Sequence, residues 1–482
     1  MKHNPKKFSA EIDAFIDRYV TDLRRGTAAV FAGAGLSVSS GYVNWAELLR
    51  GIAAELDLDV DRETNLVAVA QYHVNERLNR SHINQKLIDE FSVGHDINEN
   101  QEILASLPID IYWTTNYDRM IERALEAAGK VVDRKYTVNH LKSTVRCPDA
   151  VVYKMHGDVE DADNAVLTKD DYEGYFRDRE LFVTTLAGHL LSKTFLFLGF
   201  SFTDPNIDYI LSRIRVALKK QPKSHYCILR REVRKPREKL ANFKYRQKQQ
   251  YYFVKDLARL GIQALMVDEF SDITGILAAV QTRYRAQTVF ISGSASEFYP
   301  WTADDAADLI ESLADRLIRK NLTIVSGFGL GVGPSVIAGA LQTIQRHPQR
   351  YSREQLQTFP FPLVDGARPR RSRMYRQHRE FMLEKSGIAI FLFGNNEDGK
   401  GDVEDSEGVL QEFEIAKQMG VHVIPVGATG WVAKRIAGEL SPTVKERSRQ
   451  FQKAFAAAMD ENVSVEETVK AAMTMVDEYC RL

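Results

Sequence analysis

Two glycine-rich turns, each directly after a short apolar segment, constrain the fold of this chain most strongly. The first turn, Ala32-Gly-Ala-Gly-Leu-Ser37, follows the apolar segment Ala28–Phe31. The second turn, Ser292-Gly-Ser-Ala295, follows Thr288–Ile291. Helical patterns come after both turns, and a strand, a tight turn and a helix open a doubly wound α/β domain. The sequence therefore predicts an α/β protein with two doubly wound parallel-sheet domains.

The spacing of the other apolar segments places a boundary between these domains. The chain has 482 residues, whereas one ordinary domain seldom exceeds about 250. The last predicted strand of the first half is Ala264–Val267, so we predict domains at residues 1–280 and 286–482. Further strands are predicted at Ile111–Thr114, Ala150–Lys154, Thr194–Gly199, His225–Leu229, Leu322–Ser326, Ile388–Phe393 and Val421–Val426. Helices are predicted at Trp45–Leu56, Asp304–Lys320, Tyr375–Lys385 and Val409–Met419.

Charge and cysteine content exclude several classes of function. The formal net charge of −1 gives no overall field that favours nucleic acid or an anionic membrane. The basic stretch Arg230–Lys248 contains interspersed acidic and apolar residues, which favours a solvated helical face over a nucleic-acid surface. Cys147, Cys227 and Cys480 are too few and too scattered for a disulfide framework or a four-cysteine zinc site. Apolar runs are also too short to span a membrane. We therefore expect a cytoplasmic protein without a metal site.

The first glycine turn begins a candidate ligand site. Gly33 and Gly35 permit close approach of the backbone to a pyrophosphate, and Ser37 precedes a helical segment whose N-terminus would attract anions. The turn lacks the third glycine of the common dinucleotide fingerprint, so a purely structural tight turn stays open.

Two polar clusters follow other predicted strands of the same domain. Asn116 and Asp118 come after Ile111–Thr114, and His156 comes after Ala150–Lys154. In open α/β sheets, ligands bind at the carboxyl ends of the strands. We therefore expect both clusters and the glycine turn to converge on one crevice.

In type and order these motifs resemble those of the sirtuin superfamily, over residues 10–270. They are Gly33-Ala-Gly-Leu-Ser37, Asn116-Tyr-Asp118 and His156-Gly157, and the later segment Gly199–Asn206 resembles a nucleotide-contacting loop of bacterial sirtuin-like proteins. The resemblance implies an NAD site with Asn116 and His156 as the catalytic pair. The implied NAD contacts are Ala32, Gly33, Ala34, Gly35, Ser37, Asp118, Gly199, Ser201, Asp204 and Asn206.

The side chains suit cleavage of the bond between nicotinamide and ribose. Asn116 can hydrogen-bond a ribose hydroxyl or orient water, and His156 can act as a general base. Asp118 can hold the nicotinamide carboxamide or brace its loop. Each residue also has a structural alternative. Asn116 could be a turn residue, His156 a core histidine, and Asp118 a cap for a helix that begins near Arg119.

The second domain carries a separate candidate site. Gly327, Gly329 and Gly331 alternate after Leu322–Ser326, and with Gly293 and Ser294 they would expose backbone amides to a phosphate. Tight strand–helix connections are the alternative. Four arginines could pair with phosphates or face solvent: Arg371, Arg373, Arg376 and Arg379. Gly394 and Asn395, at the end of a strand, are further candidate contacts. Glu412 could accept hydrogen bonds from ribose hydroxyls or lie on the surface.

This half, over residues 286–478, resembles the SLOG family of Rossmann-like nucleotide-sensing or nucleotide-cleaving domains. The chain lacks the Pro-Gly-Gly-x-Gly-Thr loop of the hydrolytic branch, which favours sensing. A sirtuin-like domain followed by a SLOG domain resembles the NAD-consuming effectors of Thoeris anti-phage systems. The resemblance implies activation by a cyclic ADP-ribose isomer that a TIR-domain protein makes. It also implies a signal-reading arginine within Arg371–Arg379 and assembly into homotetramers or larger.

The sequence thus predicts an NAD glycohydrolase that releases nicotinamide and ADP-ribose, with NAD as substrate and no prosthetic group. An NAD-dependent protein deacylase is a second hypothesis, although the chain cannot build the four-cysteine zinc module usual in such sirtuins. A non-catalytic nucleotide-binding scaffold is a third, which the intact Asn116 and His156 argue against. A nucleic-acid effector is a fourth, but no arginine–aromatic motif supports it.

Overall fold

The computed structural model describes residues 8–202, 205–217, 224–362, 368–398 and 400–481. The chain forms two compact units, Met1–Gln281 and Thr282–Leu482. Within the described ranges, no helix has both the length and the apolarity needed to cross a membrane.

The first unit is built on a parallel sheet of seven strands. Their spatial order is β3-β4-β2-β1-β5-β6-β7. The strands are β1 (Ala28–Ala32), β2 (Ile111–Thr114), β3 (Val132–Lys135), β4 (Ala150–Lys154), β5 (Thr194–Leu198), β6 (His225–Arg230) and β7 (Ile262–Val267). Every residue of β1, β2 and β5 is buried, as expected for central strands of a sheet covered on both faces.

Helices connect and flank these strands. They are α1 (Ala10–Arg24), α2 (Gly35–Val38), α3 (Trp45–Ala54), α4 (Leu66–Arg77), α5 (Ser81–Phe91), α6 (Glu99–Ser106), α7 (Met120–Ala127), α8 (Val138–Leu141), α9 (Lys169–Asp178), α10 (Glu180–Ser192), α11 (Pro205–Ala217), α12 (Leu240–Arg259) and α13 (Asp272–Arg285). A 3-10 helix spans Val159–Asn164. The start of α3 is fixed by a capping box in which Asn44 and Glu47 each accept a hydrogen bond from the other's backbone amide.

The strand order places a topological switch point beside β1. The chain passes from β1 to β2 on one side, and later crosses to β5 on the other side. Ala32, the last residue of β1, is in register with Thr114 of β2 and Leu198 of β5. Thr114 is in turn in register with Lys154 of β4. The carboxyl ends of four strands therefore lie side by side where ligands bind in sheets of this kind.

The second unit has a parallel sheet of five strands in the order β10-β9-β8-β11-β14, and a separate two-stranded sheet. The strands are β8 (Thr288–Ser294), β9 (Thr323–Ser326), β10 (Leu356–Thr358), β11 (Ile388–Phe393), β12 (Asn395–Glu397), β13 (Val403–Asp405) and β14 (His422–Pro425). The helices are α14 (Ala303–Arg319), α15 (Gly333–Arg346), α16 (Arg368–Glu384), α17 (Glu407–Gln418), α18 (Trp431–Val444), α19 (Arg449–Ala457) and α20 (Val465–Tyr479). Here the switch point lies between β8 and β11.

The predicted class of two doubly wound α/β units is confirmed. Each predicted strand is present, with bounds shifted by at most three residues. Strand β3 was not predicted, because its buried positions hold Asp133 and Lys135 instead of apolar side chains; the two form an ion pair at 2.8 Å. The helix predicted at Tyr375–Lys385 begins earlier, at Arg368. The sequence did not indicate this start, because the arginine-rich first turns show no apolar periodicity.

The ring of His422 makes the stability of the second unit depend on pH. It stacks on Tyr479 of α20 with 4.3 Å between ring centroids. Burial, and then the cationic Arg447 and Arg285, lower the pKa of His422 to about 4. The unfolded chain has a histidine pKa of about 6.5 and binds the proton first, so stability falls as pH falls from about 6.5 to about 4.

We expect the free energy of unfolding of the second unit to drop by about 2 kcal/mol between pH 7 and pH 4.5 through this group. His422→Phe should retain the stacking and lose that part of the pH dependence. Denaturant titration of both proteins at the two pH values measures the difference. Equal pH dependence in the two proteins would contradict the assignment.

Candidate functional site

The glycine turn after β1 packs directly against the turn after β5. Gly33 N donates to Leu198 O at 2.8 Å, and Gly35 N donates to Gly199 O at 2.9 Å. A Cβ atom at Gly33 would lie 2.4 Å from Gly199 O, and one at Gly199 would lie 2.3 Å from Leu36 N. Gly199 also has a φ of +63°. Close packing of two turns therefore requires these glycines whether or not a ligand is bound.

Gly199→Ala should damage this junction through contact as well as backbone strain. Gly26 is a matched control, because its φ is +64° and a Cβ there would have no atom within 4 Å. We expect Gly26→Ala to cost about 1 kcal/mol from the left-handed backbone, and Gly199→Ala to cost about 1–3 kcal/mol more from overpacking. Denaturant titration measures both losses. Equal losses would show that the two turns separate without cost.

Asn116 links the loop after β2 to the glycine turn. Its buried Nδ2 donates to Gly33 O and to Ser37 Oγ, both at 3.1 Å. Its backbone N donates to Thr114 Oγ1 at 2.9 Å, which fixes the loop as it leaves the strand. Ala34 and Gly35 remain exposed on the turn. The structure thus brings two of the three predicted clusters into direct contact.

Asp118 lies two residues further and has a structural contact. Its Oδ1 accepts a hydrogen bond from Met120 N at 3.0 Å, at the start of α7. The side chain is buried. This geometry matches the helix-capping alternative, while an NAD contact for Asp118 stays a prediction.

His156 follows β4, the strand that pairs with β2. Its side chain is buried and lies near Tyr172 and Tyr175, with ring centroids 5.6 Å and 6.3 Å away. The His156 carbonyl accepts a hydrogen bond from Val166 N at 2.8 Å. The next residue, Gly157, turns the chain with a φ of +93°. Since Thr114 and Lys154 are register partners, Asn116 and His156 each lie two residues beyond paired strand ends.

Of the remaining predicted NAD contacts, the structure describes Ala32, Ser201 and Asn206. Ala32 ends β1 and is buried, Ser201 is exposed after Gly199, and Asn206 is buried at the start of α11. Asp204 lies outside the described residues.

A buried charge cluster beneath the two loops was missed by the sequence reasoning. Lys154 Nζ lies 2.7 Å from Asp158 Oδ2 and 3.3 Å from Glu122 Oε1, and all three side chains are at most 1% exposed. Burial alone would lower the pKa of Lys154, but Glu122, Asp158 and Asp118 outweigh it and raise that pKa. Burial raises the pKa of Glu122. A lysine at the end of an otherwise apolar strand is the sequence signal that would have indicated this cluster.

The second unit contains a cavity of about 240 Å³ at the switch point between β8 and β11. Six predicted signal-binding residues line it: Gly293, Ser294, Gly327, Gly329, Arg379 and Glu412. Lining residues that the sequence reasoning missed include Ser292, Phe361, Asn396, Ser406 and Gly408. A Cβ at Gly329 would lie within 2 Å of Gly293 O, so the two turns are in backbone contact.

Arg379 and Glu412 form the charged part of this cavity. Glu412 Oε2 accepts a hydrogen bond from Ser292 Oγ at 2.6 Å, and Arg379 Nε lies 3.5 Å from Glu412 Oε1. Arg379 also lies over the ring of Phe361, 4.8 Å from its centroid. Burial raises the pKa of Glu412, although Ser292 and Arg379 oppose this. A cation, an acceptor and glycine amides at one cavity suit a ligand with phosphate and ribose groups.

The structure does not bring every predicted signal contact to this cavity. Arg371, Arg373 and Arg376 are exposed on α16, and Arg376 pairs with Glu380 at 2.8 Å. Gly331, Gly394 and Asn395 are also outside the lining. Asn395 is fully buried, and its side chain bonds the backbone of residues 296 and 297. A role in binding a signal stays a prediction for these six residues and for the six in the lining.

Both units match known protein families. A family model described as a SIR2-like domain matches residues 110–252, and one described as the Sir2- and TIR-associating SLOG family matches residues 272–479. NAD(+) hydrolase ThsA of Bacillus cereus (strain MSX-D12) is 44% identical over 482 residues, which cover 99% of each chain. NAD(+) hydrolase ThsA of Acinetobacter baumannii (strain 532279) is 42% identical, covering 96% of this chain and 97% of the relative. Defense-associated sirtuin 2 of Bacillus subtilis is 28% identical over 206 residues, which cover 40% of this chain and 20% of that protein.

The domain order, the two switch-point sites and the full-length relatives agree with one another. The matches confirm the predicted order of a sirtuin-like domain followed by a SLOG domain. The chain belongs to the ThsA family of NAD(+) hydrolases.

Proposed function

We propose that the first unit hydrolyses NAD to nicotinamide and ADP-ribose, in defence against phage. The observation that carries this proposal is the bridge from Asn116 to Gly33 and Ser37, one strand away from His156. It joins the predicted pyrophosphate turn to the loop of the predicted catalytic asparagine. The names of the full-length relatives support the same reaction.

The reaction exchanges one bond at the ribose. The bond from ribose C1 to the pyridinium nitrogen breaks, and its electron pair leaves with nicotinamide, which becomes neutral. The water oxygen bonds to C1, and His156 accepts the proton that the water loses before passing it to solvent. NAD and water thus give nicotinamide, ADP-ribose and one proton. Asn116 orients the ribose or the water, so that the attacking oxygen is held close to C1.

We further propose that the cavity of the second unit binds an activating nucleotide, a cyclic ADP-ribose isomer made by a TIR-domain protein. The Arg379–Glu412 pair and the adjoining glycine turns support this ligand class. Activation requires that the ligand bind the active arrangement more tightly than the inactive one. A coupling of about 1–3 kcal/mol would activate roughly 5–150-fold.

Several properties follow from the family resemblance. We expect assembly into a homotetramer or larger and a cytoplasmic location. We expect the reaction to need no prosthetic group, since NAD is itself the substrate. We expect no zinc, since the chain has three cysteines and cannot build the four-cysteine module. Sedimentation of the purified protein, with and without ligand, measures the assembly.

Product analysis in ¹⁸O-labelled water tests the proposed reaction. Full-length protein, NAD and cyclic ADP-ribose isomers should give nicotinamide and ADP-ribose in equal amounts, with one ¹⁸O atom in each ADP-ribose. An acyl-lysine peptide in the same mixture should remain acylated. Cleavage of NAD only with the peptide present, with transfer of its acyl group, would favour a deacylase instead. No nicotinamide under any condition would favour a scaffold.

A further inference from the structure

The buried ammonium of Lys154 contacts both loops that carry the proposed catalytic pair. From the end of β4, Nζ donates to Tyr117 O at 3.1 Å and also to Asp118 O, in the loop that contains Asn116. The same Nζ lies 2.7 Å from Asp158 Oδ2, in the loop that contains His156. We propose that Lys154 is a positioning residue that holds the loops of Asn116 and His156 in the relative position needed for NAD cleavage, an inference that rests on the proposed function.

Backbone hydrogen bonds around this ammonium also join the two loops, and we call the contacts of Lys154 with both loops the clamp. Tyr117 O accepts a hydrogen bond from Val159 N at 3.1 Å as well as from Lys154, so one carbonyl joins the two loops twice. Asp158 Oδ1 accepts from Glu160 N at 3.0 Å, which leaves Oδ2 for Lys154. Both strands end at the level of the register pair Thr114–Lys154, so contacts outside the strand ladder, including those of Lys154 and Asn116, hold the loops beyond it.

The charges are arranged to keep the clamp ionic. Lys154 and Asp158 are completely buried, where a lone ion would be expensive, and each neutralises the other. Glu122 on α7 lies further away, at 3.3 Å, and does not belong to either loop. Loss of the ammonium would leave Asp158 unpaired and remove both bonds to the loop of Asn116. Because a displacement of about 1 Å can cost on the order of 100-fold in rate, even a small shift of the loops should be visible in turnover.

Lys154→Met tests the clamp, since methionine has similar length and no charge. Lys135→Met is a matched control, because Lys135 is also buried and paired with Asp133 at 2.8 Å, on β3. We expect Lys154→Met to lower kcat for NAD at least about 10-fold while KM changes less than about 3-fold. Lys135→Met should leave kcat within about 2-fold of wild type at a comparable loss of melting temperature. Equal kcat for the two variants, or a loss confined to KM, would overturn the inference.

A second variant and a readout without catalysis keep the test decisive. Asp158→Asn retains the ammonium and its bonds to Tyr117 and Asp118 but weakens the link to the loop of His156. It should also lower kcat more than it changes KM. Hydrogen exchange of residues 115–118 and 155–159 should be faster in Lys154→Met than in Lys135→Met. If wild type cleaves no NAD, the proposed function fails, while unchanged exchange at both loops would overturn the clamp itself.

Discussion

His156→Asn is expected to lower kcat for NAD cleavage by about 10²–10⁴-fold, the usual contribution of a positioned general base. Asparagine approximates the size of the buried ring but cannot accept the proton that the attacking water loses. KM for NAD should change little, because the glycine turn and Asn116 form the proposed pyrophosphate and ribose contacts. Initial rates of nicotinamide release at saturating NAD measure the effect.

His140→Asn is the matched control for this variant. His140 also lies against a tyrosine ring, with 4.1 Å to the centroid of Tyr136, but it belongs to α8 instead of a strand end. It should retain kcat within about 3-fold of wild type. If His156→Asn keeps more than a tenth of wild-type kcat, a role for His156 as general base is contradicted.

Arg379→Gln is expected to raise the concentration of activating ligand needed for half-maximal NAD cleavage by about 10–150-fold. This corresponds to the loss of a charged hydrogen bond worth about 1.5–3 kcal/mol. Arg379 is the one predicted signal-reading arginine in the cavity lining, where it lies beside Glu412 and Phe361. Dose–response curves with cyclic ADP-ribose isomers measure the shift, and kcat at saturating ligand should be retained.

Arg371→Gln makes the same chemical change on the exposed part of α16. Its half-maximal concentration should stay within about 3-fold of wild type, because exposed charges contribute little to binding. A larger shift for Arg371→Gln than for Arg379→Gln would contradict the assignment of the cavity as the signal site. Melting temperatures of both variants show whether the unpaired Glu412 destabilises the second unit.

The sequence was sufficient to predict the sheet ends and the residues that follow them. Ala28–Phe31, Ile111–Thr114 and Ala150–Lys154 are apolar runs of strand length, so the polar residues after them fall at one edge of a parallel sheet. The contact between Asn116 and Gly33 follows from that rule. The second glycine turn could be placed for the same reason.

Other features depend on contacts that have no local signature. Asp118 is equally good as a ligand or as a cap, and only its bond to Met120 N shows which contact it makes in this structure. Arg379 lies about two turns after Arg371 on α16, and the arginine-rich start of that helix carries no apolar pattern to show which arginine is buried. The clamp of Lys154 needs the positions of Asp158 and of the Asn116 loop together. Strand β3 similarly has an ion pair at its buried positions in place of an apolar pattern.

The most direct test of a gated NAD hydrolase is nicotinamide release by purified full-length protein, measured with and without cyclic ADP-ribose isomers. The account predicts slow release without ligand, a saturable rise with at least one isomer, and no ligand-dependent release by His156→Asn. Release at the same rate with and without every isomer would contradict the gate. No release from wild type under any ligand would contradict NAD hydrolysis itself.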